Sequence, residues 1–131
     1  MSKILPSYQE KQRILYIDHK SVRDLIAYGD VFLEAGKMFD AIEFYQRVNY
    51  SEGLEKIKGM AEHSGDVMLF QQVLKLLKQH VSDDTWNAIG ARAFDLKKYC
   101  FALHAFEKSN NSTMAEKIKK IMMTKEREQN A

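Results

Sequence analysis

Residues 29–48 read GDVFLEAGKMFDAIEFYQRV, and with Leu25 ahead of them they decide the fold. Val22, Leu25, Tyr28, Gly29, Phe32 and Leu33 recur at three- and four-residue intervals, the period of a helix with one buried face. Ser21, with Asp24 three residues on, marks its N-terminus, where a carboxylate also suits the positive end of the helix dipole. Gly36 falls where a left-handed residue ends a helix. Phe39, Ala41, Ile42, Phe44, Tyr45 and Val48 then form a second apolar stripe. Two helices of about 13 residues joined by so short a turn pack antiparallel. Gly29 and Ala41 remove side-chain bulk, so the axes can approach while Phe32 and Tyr45 fill the remaining volume. A glycine inside a helix costs about 0.8–1.0 kcal/mol relative to alanine. Gly29 therefore reads as a packing residue rather than a tolerated surface glycine.

An offset of 61 residues carries the pattern through the chain. Ser21 falls on Ser82, Gly29 on Gly90, Ala41 on Ala102, Ile42 on Leu103 and Tyr45 on Phe106. Arg47 falls on Lys108, Asn49 on Asn110 and Ser51 on Ser112, and Glu55-Lys56-Ile57-Lys58 matches Glu116-Lys117-Ile118-Lys119 residue for residue. Between the copies lies a further helix pair. Its first helix carries Leu54, Ile57, Met60 and Ala61 and stops at Gly65, and its second carries Met68, Phe70, Val73, Leu74, Leu76 and Leu77. Ahead of the array, Ser7 and Glu10 have capping-box spacing after Pro6, and Tyr8, Ile14 and Leu15 mark a short cap helix. The expected layout is a single domain over 1–131. A cap helix at 7–17 precedes units at 21–49, 51–80 and 82–110, and a closing helix follows at 112–127, with 129–131 frayed.

Bulk properties narrow the class. With 45% apolar and 29% charged residues, the chain has the balance of a soluble globular domain. A formal charge of +2 is too mild to argue for nucleic acid or an acidic membrane. Cys100 is alone, so no internal disulfide forms, and beside Tyr99 and Phe101 it reads as a small packing residue. No apolar run approaches the roughly 18–20 residues of a membrane span. The start, MSKILPSYQEKQ, lacks the apolar core of a secretory signal, so a cytoplasmic location is expected.

The repeat resembles the tetratricopeptide family, whose unit of about 34 residues follows W-x2-L-G-x2-Y, a turn glycine and A-x3-F. The first copy carries Leu25, Tyr28, Gly29, Phe32, Gly36, Ala41, Tyr45 and Val48. The last carries Trp86, Ile89, Gly90, Ala93, Lys97, Ala102, Phe106 and Ser109, with Trp86 at the first hallmark position. The middle copy keeps little beyond Gly65. The units are shorter than the family's, and none ends in its proline. The resemblance implies an all-α, right-handed solenoid of three antiparallel helix pairs between an N-terminal cap helix and a C-terminal capping helix. It also implies a protein-binding scaffold that takes a peptide or partner domain along the first helix of each pair.

Carried onto this sequence, that groove is lined by Arg23, Ile26, Asp30, Leu33 and Glu34, then by Glu52, Glu55, Gly59, Glu62 and His63. The third pair adds Asp84, Asn87, Ala91, Phe94 and Asp95. One arginine against seven carboxylates reverses the sign of the family's carboxylate clamps. Such a groove favours a basic or neutral protein segment and disfavours RNA. The plain alternative is that these carboxylates only solvate an exposed face. The closing helix sets Met114, Ile118, Ile121 and Met122 against Lys117, Lys119, Lys120, Lys125 and Arg127. It reads as a cap sooner than as a membrane or calmodulin-like ligand. His63 and Asp66 flank a turn without a third ligand, and no nucleotide or nucleophile motif is present. No enzyme activity, cofactor or metal is expected. A second function stands beside the scaffold, namely self-association through an exposed apolar end or the closing helix.

Overall fold

A computed structural model describes residues 4–129. Among them are eight α-helices and no strand. In order these are α1 (Tyr8–Tyr16), α2 (Val22–Glu34), α3 (Met38–Arg47), α4 (Ser51–Ser64), α5 (Val67–Leu77), α6 (Asp83–Asp95), α7 (Tyr99–Lys108) and α8 (Ser112–Gln129). The chain forms two compact units, Met1–Ile57 and Lys58–Ala131. No helix among the described residues is long and apolar enough to cross a membrane.

Local chemistry sets the helix ends. Ser7 accepts from the Glu10 amide and donates to its carboxylate, and Ser21 and Ser82 accept from the amides of Asp24 and Thr85. Asp66 and Asn111 do the same for Leu69 and Met114. Displaced by 61 residues, α2 coincides with α6 and α3 with α7 at both ends, and α4 with α8 at the start. The connections follow suit. Lys37 and Lys98 open α3 and α7 with matching backbone angles (φ −91°, ψ 73° and φ −90°, ψ 72°). Asn49 and Asn110 both take positive φ, which asparagine tolerates better than most side chains.

In the first unit α2 packs on α3, burying Leu25, Phe32, Leu33, Ala41, Ile42, Phe44 and Tyr45. Tyr28, Phe32 and Phe44 form a stack, with Phe44 5.8 Å from Tyr28 and 5.4 Å from Phe32 between ring centroids. The Tyr45 ring is held at opposite edges by two glycines. A Cβ on Gly29 would lie 2.6 Å from its Cε1, and one on Gly53 would lie 2.7 Å from its Cδ2. Charge fastens α1 to α3. Lys11, 5% exposed, bonds Asp40 at 2.7 Å and Glu43 at 3.0 Å, and Arg47 donates to the Leu15 carbonyl and lies over Tyr16.

The second unit repeats one side of the device, with Phe106 against Gly90, whose Cβ would lie 3.1 Å from the ring, and with Met114 at the place of Gly53. Phe70 meets Trp86 edge-on at 5.4 Å, and α5 packs on α6 and α7. Several expected stripe residues face solvent instead. Tyr8, Val22, Phe39 and Met68 are 73%, 58%, 56% and 51% exposed, because each sits at the first turn of its helix, beyond the reach of the partner helix. Cys100 is exposed rather than packed, and its place at the start of α7 explains it in the same way. Gln129 is the last described helical residue, and the rest of the segment expected to fray, 130–131, lies outside the described residues.

The glycines give a direct test. Gly29→Ala and Gly53→Ala should each destabilise by about 1–3 kcal/mol, since a buried ring cannot yield to the added methyl. Gly59 has nothing within 4 Å of a built Cβ. Gly59→Ala should therefore stabilise by about 0.5–1 kcal/mol through helix propensity alone. Urea titration of the three variants measures the contrast.

Candidate functional site

Besides the Lys11 ion pairs, the first unit holds a polar group built around the hydroxyl of Tyr45. The two glycines fix its ring, so the hydroxyl emerges at one place on the face of α2. There it donates to Asp30 Oδ1 at 2.6 Å. Tyr50, in the turn before α4, lies against Tyr45 at 5.4 Å between centroids and donates its own hydroxyl to Glu52 Oε2 at 3.2 Å. Glu34 stands one turn beyond Asp30 on the same face of α2. Asp30, Glu34 and Glu52 are exposed while Tyr45 is buried, which makes an acidic corner on a rigid aromatic base.

The electrostatics follow from that arrangement. Burial, then the hydrogen bond to Asp30, pushes the Tyr45 phenol well above its ordinary value, and the charges of Asp30 and Glu34 add to the push. The Tyr50 phenol is raised as well, first by its bond to Glu52. For Lys11, burial works downward, but the bonds to Asp40 and Glu43 outweigh it and the ammonium is raised.

The other expected groove residues lie differently. Arg23 is exposed in the first turn of α2, about two turns from Asp30, and Ile26 is half-buried. Leu33 is 8% exposed and belongs to the core rather than to a groove lining. Glu55 is half-buried, and Glu62 and His63 are exposed near the end of α4. Asp66, considered beside His63, caps α5 through the Leu69 amide. In the second unit Asp84 and Asp95 are exposed at opposite ends of α6. Asn87 is engaged internally, accepting from the Ser109 hydroxyl at 2.7 Å and the Asn111 amide at 3.1 Å. Phe94 is half-buried, with Tyr99 edge-on and the Lys117 ammonium 5.4 Å from its ring centre. Tyr50 and Gly53 escaped the sequence reading. One signal would have exposed the corner, because at the 61-residue offset Tyr45 and Asp30 become Phe106 and Ala91. The hydroxyl and its acceptor are replaced together.

Comparison with family models, with curated proteins and with solved structures finds no match to the chain.

Removing the hydroxyl tests the corner. Tyr45→Phe should cost about 1 kcal/mol at pH 7, one hydrogen bond to an exposed carboxylate. In a double-mutant cycle with Asp30→Ala, the combined loss should be smaller than the sum of the two. The pH profile carries a sign. A phenol raised in the folded state stabilises fully below its unfolded pKa of about 10 and loses that contribution as pH rises through its folded value. Wild-type stability should therefore fall above about pH 10, and Tyr45→Phe should lose the Tyr45 share of that fall while the raised Tyr50 phenol keeps its own. The raised Lys11 ammonium acts in the same direction and is retained in the variant. Denaturant titrations from neutral to alkaline pH check both statements.

Proposed function

We infer that the chain is a tetratricopeptide-like helical-repeat scaffold without catalytic activity, acting in the cytoplasm, and that it binds a protein segment rich in lysine or arginine. The acidic corner of the first unit carries this reading. Asp30 and Glu52 present carboxylates to solvent from side chains held by the Tyr45 and Tyr50 hydroxyls, and Glu34 adds a third charge one turn along α2. Carboxylates set in fixed positions lose little conformational freedom on meeting a cation, so they bind better than the same charges on mobile side chains. The corner also lies on the first helix of its pair, where the family resemblance would put a ligand. An acidic lining repels phosphates and so works against a nucleic-acid ligand. The 61-residue echo supports a repeat architecture, in which stacked helix pairs share one core and leave one face for partners.

A displayed library of random peptides tests the proposal. Selected sequences should be enriched in lysine and arginine, and their binding should weaken with added salt. The Glu34→Lys/Glu52→Lys variant should bind them at least about tenfold more weakly, about 1.4 kcal/mol. Enrichment of neutral or acidic peptides, or affinity indifferent to salt and to the charge reversals, would overturn it.

A further inference from the structure

The internal echo reveals a face that is covered in one unit and only partly covered in the other. In the second unit the last turns of α4 lie on α6. Gly65, at φ +67°, passes so close that a Cβ there would lie 2.9 Å from the Ala93 Cα. Arg92 Nε donates to the His63 carbonyl and Lys98 Nζ to the Ser64 carbonyl, both at 2.6 Å, so two cations cap the C-terminal end of α4. Ala61 is fully buried, and Ile89 on α6 is 2% exposed. Lys58, on the same stretch of α4, donates to Gln79 Oε1 at 2.8 Å.

Moved back by 61 residues, the same face of α2 carries Ala27, Tyr28 and Val31 in place of Ala88, Ile89 and Arg92. Here Asp24 and Ala27 are exposed and Tyr28 and Val31 half-buried, and with Lys20 they line an open hollow of about 290 Å³. An adjoining hollow shares Lys20 and Tyr28 and extends along α1 to Glu10, Arg13, Ile14 and Asp18. The counterpart of α4 at this offset is α8. On it Lys119 stands for Lys58 and Met122 for Ala61, with Ile121 and Met122 half-buried and Met123 54% exposed.

We propose that α8 of one copy docks on the α1–α2 face of a second copy, as the last turns of α4 dock on α6 within the second unit. Met122 fills the hollow over Tyr28 and Val31. The polar contact between Lys58 and Gln79 becomes an ion pair, because the residues that take their places are Lys119 and Asp18. The charge match is centred on that one pair. Lys119 lies 3.7 Å from Glu116 and Asp18 lies 3.9 Å from Arg13, both loose and solvent-exposed on at least one side, so each can exchange its partner for the other on docking. Glu126 occupies the place of Gly65, and its side chain bars the closest backbone approach, so the contact is made upstream around Lys119 and Met122. Each copy uses two different surfaces, so the assembly is head-to-tail and grows with concentration.

Sedimentation of the full chain over a wide concentration range tests this, with circular dichroism confirming helicity in each variant. The mean mass should rise above the 15.2 kDa of one chain as concentration increases. Lys119→Glu and Asp18→Lys should each weaken association at least about tenfold, through like charges brought together. The two combined should restore it. A protein monomeric at every concentration overturns the proposal. So does association indifferent to both reversals, or one that the paired reversal fails to rescue. None of these variants touches the acidic corner, so either surface can fail without the other.

Discussion

The first unit depends on the seating of one aromatic ring. Tyr45 is 1% exposed, and it reaches that position only because neither Gly29 nor Gly53 places a side chain where the ring lies. Three segments therefore converge on one phenol: α2 through Gly29, α3 through Tyr45 itself, and α4 through Gly53. Helix glycines are costly locally, and the burial of a large ring between them offsets that cost. The same placement turns the hydroxyl outward toward Asp30, so the residue that closes the core also orders the charged face above it.

The second unit shows what the ring does without its polar end. Phe106 lies against Gly90 much as Tyr45 lies against Gly29, but Ala91 stands where Asp30 would be. One glycine seat is kept, Met114 stands where Gly53 would be, and the polar display is lost. Two units with nearly superimposable helix boundaries thus present different chemistry to solvent. The difference around the ring lies in a hydroxyl, a carboxylate and the second glycine, and none of the three moves a helix boundary.

Helix order was legible because it rests on period, caps and turn residues, all of which are local. Ser7, Ser21 and Ser82 announce their helices in the sequence and cap them in the structure. The exposure of Val22 and Phe39 was not legible, since a first-turn residue can satisfy the helical period and still project past its partner. Lys11 escaped notice for a related reason. A lysine on a short helix looks like surface until Asp40 and Glu43, some thirty residues away, come round to meet it. The roles of Leu33 and Asn87 likewise turn on long-range partners. Periodicity marks a face without saying which edge of it is sealed.

Lys11 carries one more implication, for how the motion of α1 can be followed. Amine reagents attack only the neutral, solvent-reached form of a lysine. The Lys11 ammonium is shielded by burial and held in the charged form by two carboxylates. Its acylation must wait for α1 to lift from α3, so the rate of modification at this one position reports the local opening equilibrium of the helix. The protein contains, in an ordinary side chain, a chemical clock for the detachment of its own first helix.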